Sequence, residues 1–180
     1  MLADPVRLTA CPGCGAPVPD IDGPTHAYLG ASPGCWAAWG AFQARSFASP
    51  AIAAVQPLAV DVYAVQHPGL AERPAIQSVW VHLVSLCLVL ERGRSPADGI
   101  LAKQQLLAGS RAFLRLDPPV GSYAMTVLDV ASVEQEAVPR EVRLWADVTW
   151  AAWHAHHAAV RERAEALGLT WGASADPRRH

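Results

Sequence analysis

Residues 74–90 contain no Asp, Glu, Lys or Arg, and no other stretch of the chain limits the fold as strongly. As an α-helix, a run of this length rises about 26 Å, short of the roughly 30 Å core of a bilayer. It also carries Gln77, Ser78, His82 and Ser85. The run therefore reads as a buried central helix over about 75–91 rather than a membrane span, with Arg73 and Glu91-Arg92 marking the return to solvent. Other helices have to be wrapped around it. The chain has the material to do so: 180 residues, 52% of them apolar and only 17% charged, suit one substantial core.

Helix-start signals divide the rest. Ser32-Pro33-Gly34-Cys35 places Ser at an N-cap and Pro at the first helical position, opening a helix through Trp36, Trp39 and Phe42 to about Phe47. Ser49-Pro50 breaks it. A second helix follows over about Ile52 to Gln66, ended by Pro68-Gly69, with Pro57 as an alternative point for its regular part to begin. Ser95-Pro96-Ala97-Asp98 opens a fourth, reaching about Phe113, and Thr126 with Asp129 forms a capping box for a short helix over 127–133. Pro139 opens a last long helix to about Leu167, whose Trp150, Trp153, His157 and Val160 recur at three and four. No βαβ pattern is present. The expected fold is all-α: an irregular helical bundle of about four main helices with an N-terminal zinc-knuckle-like loop. Residues 1–35 form the knuckle and loop, 36–171 the bundle, and 172–180 a polar tail expected to be disordered.

The loop carries the chemistry. Cys11-Pro12-Gly13-Cys14-Gly15 is a Cys-x2-Cys turn, half of a tetrahedral metal site, and His26 and Cys35 stand downstream. The set Cys11, Cys14, His26 and Cys35 would hold zinc with no open position, which argues for a structural ion. His67 is the alternative to His26, because the path of the loop from Asp20 to Tyr28 is not set by its residues. A redox pair would need a preceding apolar strand, and disulfides suit a secreted chain; neither context is seen here. Cys87, inside the apolar run, reads as a small core residue.

A second group of polar residues sits in apolar surroundings. His82 interrupts the central helix and needs a partner, for which Asp61 is the natural candidate. Asp61, His67, His82 and His157 are the candidate catalytic residues of a rival reading, a metal-dependent hydrolase or transferase acting on a small molecule. The set does not establish an enzyme. No nucleotide-binding glycine turn, phosphate loop, HExxH helix or GxSxG elbow accompanies it. With 14 basic against 16 acidic residues and only Arg7 basic among the first 44, binding to nucleic acid is not expected. Reduced thiols and an amino terminus without a leader pattern point to the cytoplasm. A partner would be a small molecule or a protein, and the oligomeric state is open.

Taken together, the Cys11–Gly15 knuckle, His26-x-Tyr28, Ser32-Pro33-Gly34-Cys35-Trp36 and the block Val60-Asp61-Val62-Tyr63-Ala64-Val65-Gln66-His67-Pro68-Gly69 resemble an uncharacterised bacterial family, a DUF5946-like domain of unknown function. The stretch from Ser78 to Glu91, the run Thr126–Val130 and the Trp-rich helix ending in His156-His157 extend the resemblance over most of residues 11–165. It implies no reaction. A fold-level likeness to DinB-like metal-dependent thiol transferases, which gather three histidines from separate helices, stops at the last helix: His154-Ala155-His156-His157 lacks their usual His-x3-His spacing.

Overall fold

The computed structural model describes residues 7–109 and 112–168; the expected tail, 172–180, lies outside them. Two three-residue strands, β1 (Leu8–Ala10) and β2 (Pro17–Pro19), form an antiparallel hairpin with Thr9 opposite Val18. Seven α-helices follow: α1 (Pro33–Ser46), α2 (Pro50–Gln66), α3 (Arg73–Glu91), α4 (Pro96–Ala108), α5 (Val127–Ala131), α6 (Val138–Ala152) and α7 (His157–Glu165). The molecule is an all-α bundle carrying one hairpin. Five of its helices, rather than about four, have 13 or more residues.

The charge-free run is the centre. Twelve of the 19 residues of α3 are buried, and α2, α4, α6 and α7 all pack against it. Leu83, Leu86, Tyr63, Phe42, Trp145 and Trp153 are among the largest side chains withdrawn from water. Burying each takes some 1.5–3 kcal/mol of apolar surface out of solvent, which is why a helix with no charge of its own becomes the hub.

Most helix starts follow the local chemistry. The side chains of Ser32, Ser49, Ser95 and Thr126 each accept an amide hydrogen from the first turn they precede, and Asp98 and Asp129 return the bond to complete two capping boxes. α2 starts at Pro50 and runs through Pro57 without breaking. The missing N–H there leaves the carbonyl of Ala53 without its helical donor, but Ala53 is exposed and water can serve it. α4 stops at Ala108, ahead of the expected Phe113.

The last helix is broken where an unbroken one was expected. After α6 the backbone tightens into a 3-10 turn at His154–His156 before α7 begins. Carbonyls freed by the break are taken up locally: Trp150 O accepts from Trp153 N at 2.9 Å and from His157 Nε2 at 2.9 Å, and His154 Nδ1 donates to Ala151 O at 3.2 Å. His156 Nε2 donates to Asp117 O at 2.8 Å, tying the break to the preceding loop. The histidine-rich run therefore acts as a side-chain cap for an interrupted helix, a role that periodicity does not reveal.

Candidate metal centre

The hairpin presents the first two sulfurs. Gly15 turns with φ +79°, in the left-handed region, and Cys11 N bonds Ala16 O while Gly15 N bonds Cys11 O, both at 2.9 Å. This tight knuckle turns both thiols inward, leaving Cys11 2% and Cys14 0% exposed. Cys35 sits in the first turn of α1, its amide hydrogen directed to Ser32 Oγ at 3.4 Å, so the Ser32 cap also orients a ligand. His67 occupies the C-cap of α2 and is wholly buried.

These four donors meet. One ligand atom from each of Cys11, Cys14, Cys35 and His67 lies within 4.8 Å of every other, the one such group of three or more among the described residues. Cys14 Sγ stands 3.8 Å from Cys35 Sγ, and Cys35 Sγ stands 3.3 Å from His67 Nε2. A tetrahedral zinc with Zn–S bonds of about 2.3 Å sets its sulfurs about 3.8 Å apart, so the Cys14–Cys35 spacing fits an ion of that kind. It does not fit sulfur–sulfur bonds, and all four cysteines are free.

The surroundings prepare the donors for a cation. His67 Nδ1 lies 2.6 Å from the carbonyl oxygen of Tyr63. A carbonyl can only accept, so Nδ1 carries a ring proton in either protonation state and Nε2 is the nitrogen that faces the sulfurs, able to bind a cation once it is deprotonated. The Tyr63 hydroxyl also donates to Cys35 Sγ at 3.6 Å, and its ring packs on the His67 ring with centroids 4.0 Å apart. One residue thus braces two ligands. Gly13 lets the knuckle close on them: a Cβ there would stand 2.6 Å from His67 Cδ2 and 2.8 Å from Gly30 O.

The titration of the set follows from crowding. Hydrogen bonds from Cys14 and then Cys35 hold Cys11 far below the usual thiol range, while the bond to Cys11 is the first cause driving Cys14 far above it. The same neighbour pushes Cys35 up to about 11. Burial alone would depress His67, but its bonds to Cys11 and Cys14 outweigh that and raise it to about 9. One sulfur ionises readily against the imidazole, and each further negative charge meets the first in a buried space. A divalent cation removes that penalty, because it attracts every thiolate at once.

His26 is not part of this group. Its ring packs edge-on against Tyr28, with centroids 4.4 Å apart, and 5.3 Å from the ring of Trp36; its Nδ1 accepts from Tyr28 N at 3.4 Å. The loop from Asp20 to Tyr28 carries it past the knuckle, whereas the end of α2 points His67 directly into it. Of the two histidines left open by the sequence, His67 is the one that stands with the three sulfurs.

Nor do the candidate catalytic residues share one centre. His67 faces the sulfurs, His82 bonds Asp61, and His157 stacks on Trp150 with centroids 3.9 Å apart while capping its carbonyl. The expected Asp61–His82 pair is present, with Nδ1 to Oδ1 at 2.7 Å. Asp61 also accepts from Ser85 Oγ at 2.5 Å and is paired with Lys103 Nζ. Reading the sequence for sites did not single out Lys103 or Ser85. A signal for the first was present, because Lys103 is the only lysine in a chain that uses arginine everywhere else.

A family model described as a family of unknown function (DUF5946) matches residues 9–154, a span that contains all four donors and the Asp61 cluster. No curated protein and no solved structure matches the chain.

Proposed function

Because the chain belongs to this family of unknown function, its role has to be read from its own residues, and we propose that Cys11, Cys14, Cys35 and His67 hold a structural zinc ion. The observation that carries the reading is the closed donor set: three sulfurs and one imidazole nitrogen, all buried and all within 4.8 Å of one another. Three thiolates, one neutral imidazole and Zn2+ sum to a charge of −1, which the Tyr63 hydroxyl partly offsets.

The zinc would tie three segments to one another: the hairpin, the first turn of α1 and the end of α2. Sulfur and nitrogen ligands favour zinc over calcium or magnesium, and four protein donors leave no coordination position for water or substrate. The role that follows is a cytoplasmic helical protein in which metal shapes the knuckle face. On that face His26, Tyr28 and Trp36 form an aromatic surface, with Tyr28 40% exposed, suited to a protein partner.

Metal analysis of protein purified under reducing conditions tests the reading. One zinc per chain is expected, lost in Cys14→Ser and in His67→Ala and kept in His82→Ala. A chain free of zinc, zinc retained by Cys14→Ser, or zinc abolished by His82→Ala would each refute it.

A further inference from the structure

A cluster of titratable side chains around Asp61 is separate from the four candidate metal donors. Asp61, fully buried on α2, takes three donors on its two oxygens: Ser85 and His82 from α3 and Lys103 from α4. Because a carboxylate accepts, His82 Nδ1 bears the ring proton, which leaves the lone pair on Nε2. That nitrogen has no hydrogen-bond partner and is not among the enclosed polar atoms, and the His82 side chain is 17% exposed. Lys103 shares Oδ1 with the ring, so an ammonium group stands beside it. An oriented imidazole with a free, solvent-reachable nitrogen is the arrangement of an activated nucleophile.

The cavities beside Phe113, Leu116 and Tyr123 are lined by other residues, and none includes Asp61, His82 or Lys103. We propose that His82 Nε2 accepts a phosphoryl group from a donor in which phosphorus is bound to nitrogen or to an acyl oxygen. The Nε2 lone pair forms the N–P bond as the donor's bond to phosphorus breaks, and that electron pair leaves with the donor's nitrogen or oxygen. Nδ1 keeps its proton, so the ring becomes an imidazolium whose charge faces the Asp61 carboxylate. Lys103, bonded to the same carboxylate oxygen as Nδ1, adds a positive charge near the ring that an incoming anion gains from. An uncharged acyl group would gain less from that charge than an anionic phosphoryl group, which favours the latter.

The test uses the full zinc-loaded chain and phosphoramidate, whose P–N bond breaks with loss of ammonia. Fragmentation mass spectrometry of the wild-type chain over time should place an acid-labile phosphoryl group on His82 at least tenfold faster than on His154, although His154 is the more exposed. In Asp61→Asn the rate at His82 should fall to that at His154, with helix content and zinc unchanged as the check on folding. Labelling that follows exposure, with His154 ahead, or no label on His82, overturns the proposal while leaving the zinc reading intact. Loss of zinc in Cys14→Ser bears only on the metal centre.

Discussion

Replacing Asp61 by Leu should destabilise the protein by about 3–5 kcal/mol, because it removes one member of a buried ion pair and leaves the other without a partner. Asp61 has no exposed side-chain surface and Lys103 keeps only 14%, so water can solvate the orphaned ammonium only in part. Ser85 Oγ, wholly buried, loses its acceptor at the same time, while His82 can shift its proton to the solvent-facing nitrogen. Against a total stability on the order of 5–15 kcal/mol, the loss is large and corresponds to a melting shift of roughly 6–20 °C. Urea unfolding of the zinc-loaded protein, followed by circular dichroism, reads it as a lower midpoint at unchanged slope. The double variant Asp61→Leu, Lys103→Met should recover most of the loss, since no charge is then left unpaired. A single variant that loses under about 1 kcal/mol, or a double variant no more stable than the single, would refute the view that the ammonium depends on Asp61.

Three other outcomes are expected. Gly13→Ala puts a methyl 2.6 Å from the His67 ring, an overpacking of about 1–3 kcal/mol that a competitive chelator titration should register as roughly 5–150-fold weaker zinc binding; unchanged affinity would mean that the knuckle does not close on His67. Tyr63→Phe removes the hydroxyl on Cys35 but keeps the carbonyl on His67, so zinc affinity should fall by about 10–100-fold and the sulfur-to-metal bands of the cobalt-substituted protein should shift. Both staying put would show the hydroxyl to be inert. Glu91 is held down to about 2, by the Arg161 guanidinium first, against burial, with Trp150 Nε1 assisting. Its folded value is depressed, so its contribution is present above the ordinary carboxylate range near 4.5 and disappears as pH falls through about 2. Unfolding curves of wild type and Glu91→Gln should therefore converge between those limits, and a constant gap across them would contradict the pairing.

Local chemistry carried much of the reading. Ser–Pro pairs mark helix starts because a hydroxyl that accepts an amide hydrogen and a ring that lacks one are decided within four residues. The same holds for Cys11 and Cys14, whose sulfurs are brought together by a turn of their own. Cys35 was legible for a related reason, standing just inside a capped helix. The break at His154–His156 was not, since α-periodicity continues through it, and the choice to leave the helix depends on which carbonyls find donors. The part played by Lys103 is not legible in the sequence, because it belongs to a helix whose packing partner cannot be inferred from its own residues.

The charge-free helix, the capped starts and a sulfur-rich knuckle were determined by sequence alone, each being a property of neighbours along the chain. Tertiary structure set His67 rather than His26 beside the three sulfurs, and it divided His67, His82 and His157 among three environments. The physical reason is reach. His67 lies 32 residues from Cys35 and meets it only because α2 folds back to set its C-terminal end against the first turn of α1, whereas His26, nearer in the chain, follows a loop that packs its ring against Tyr28 and Trp36 instead.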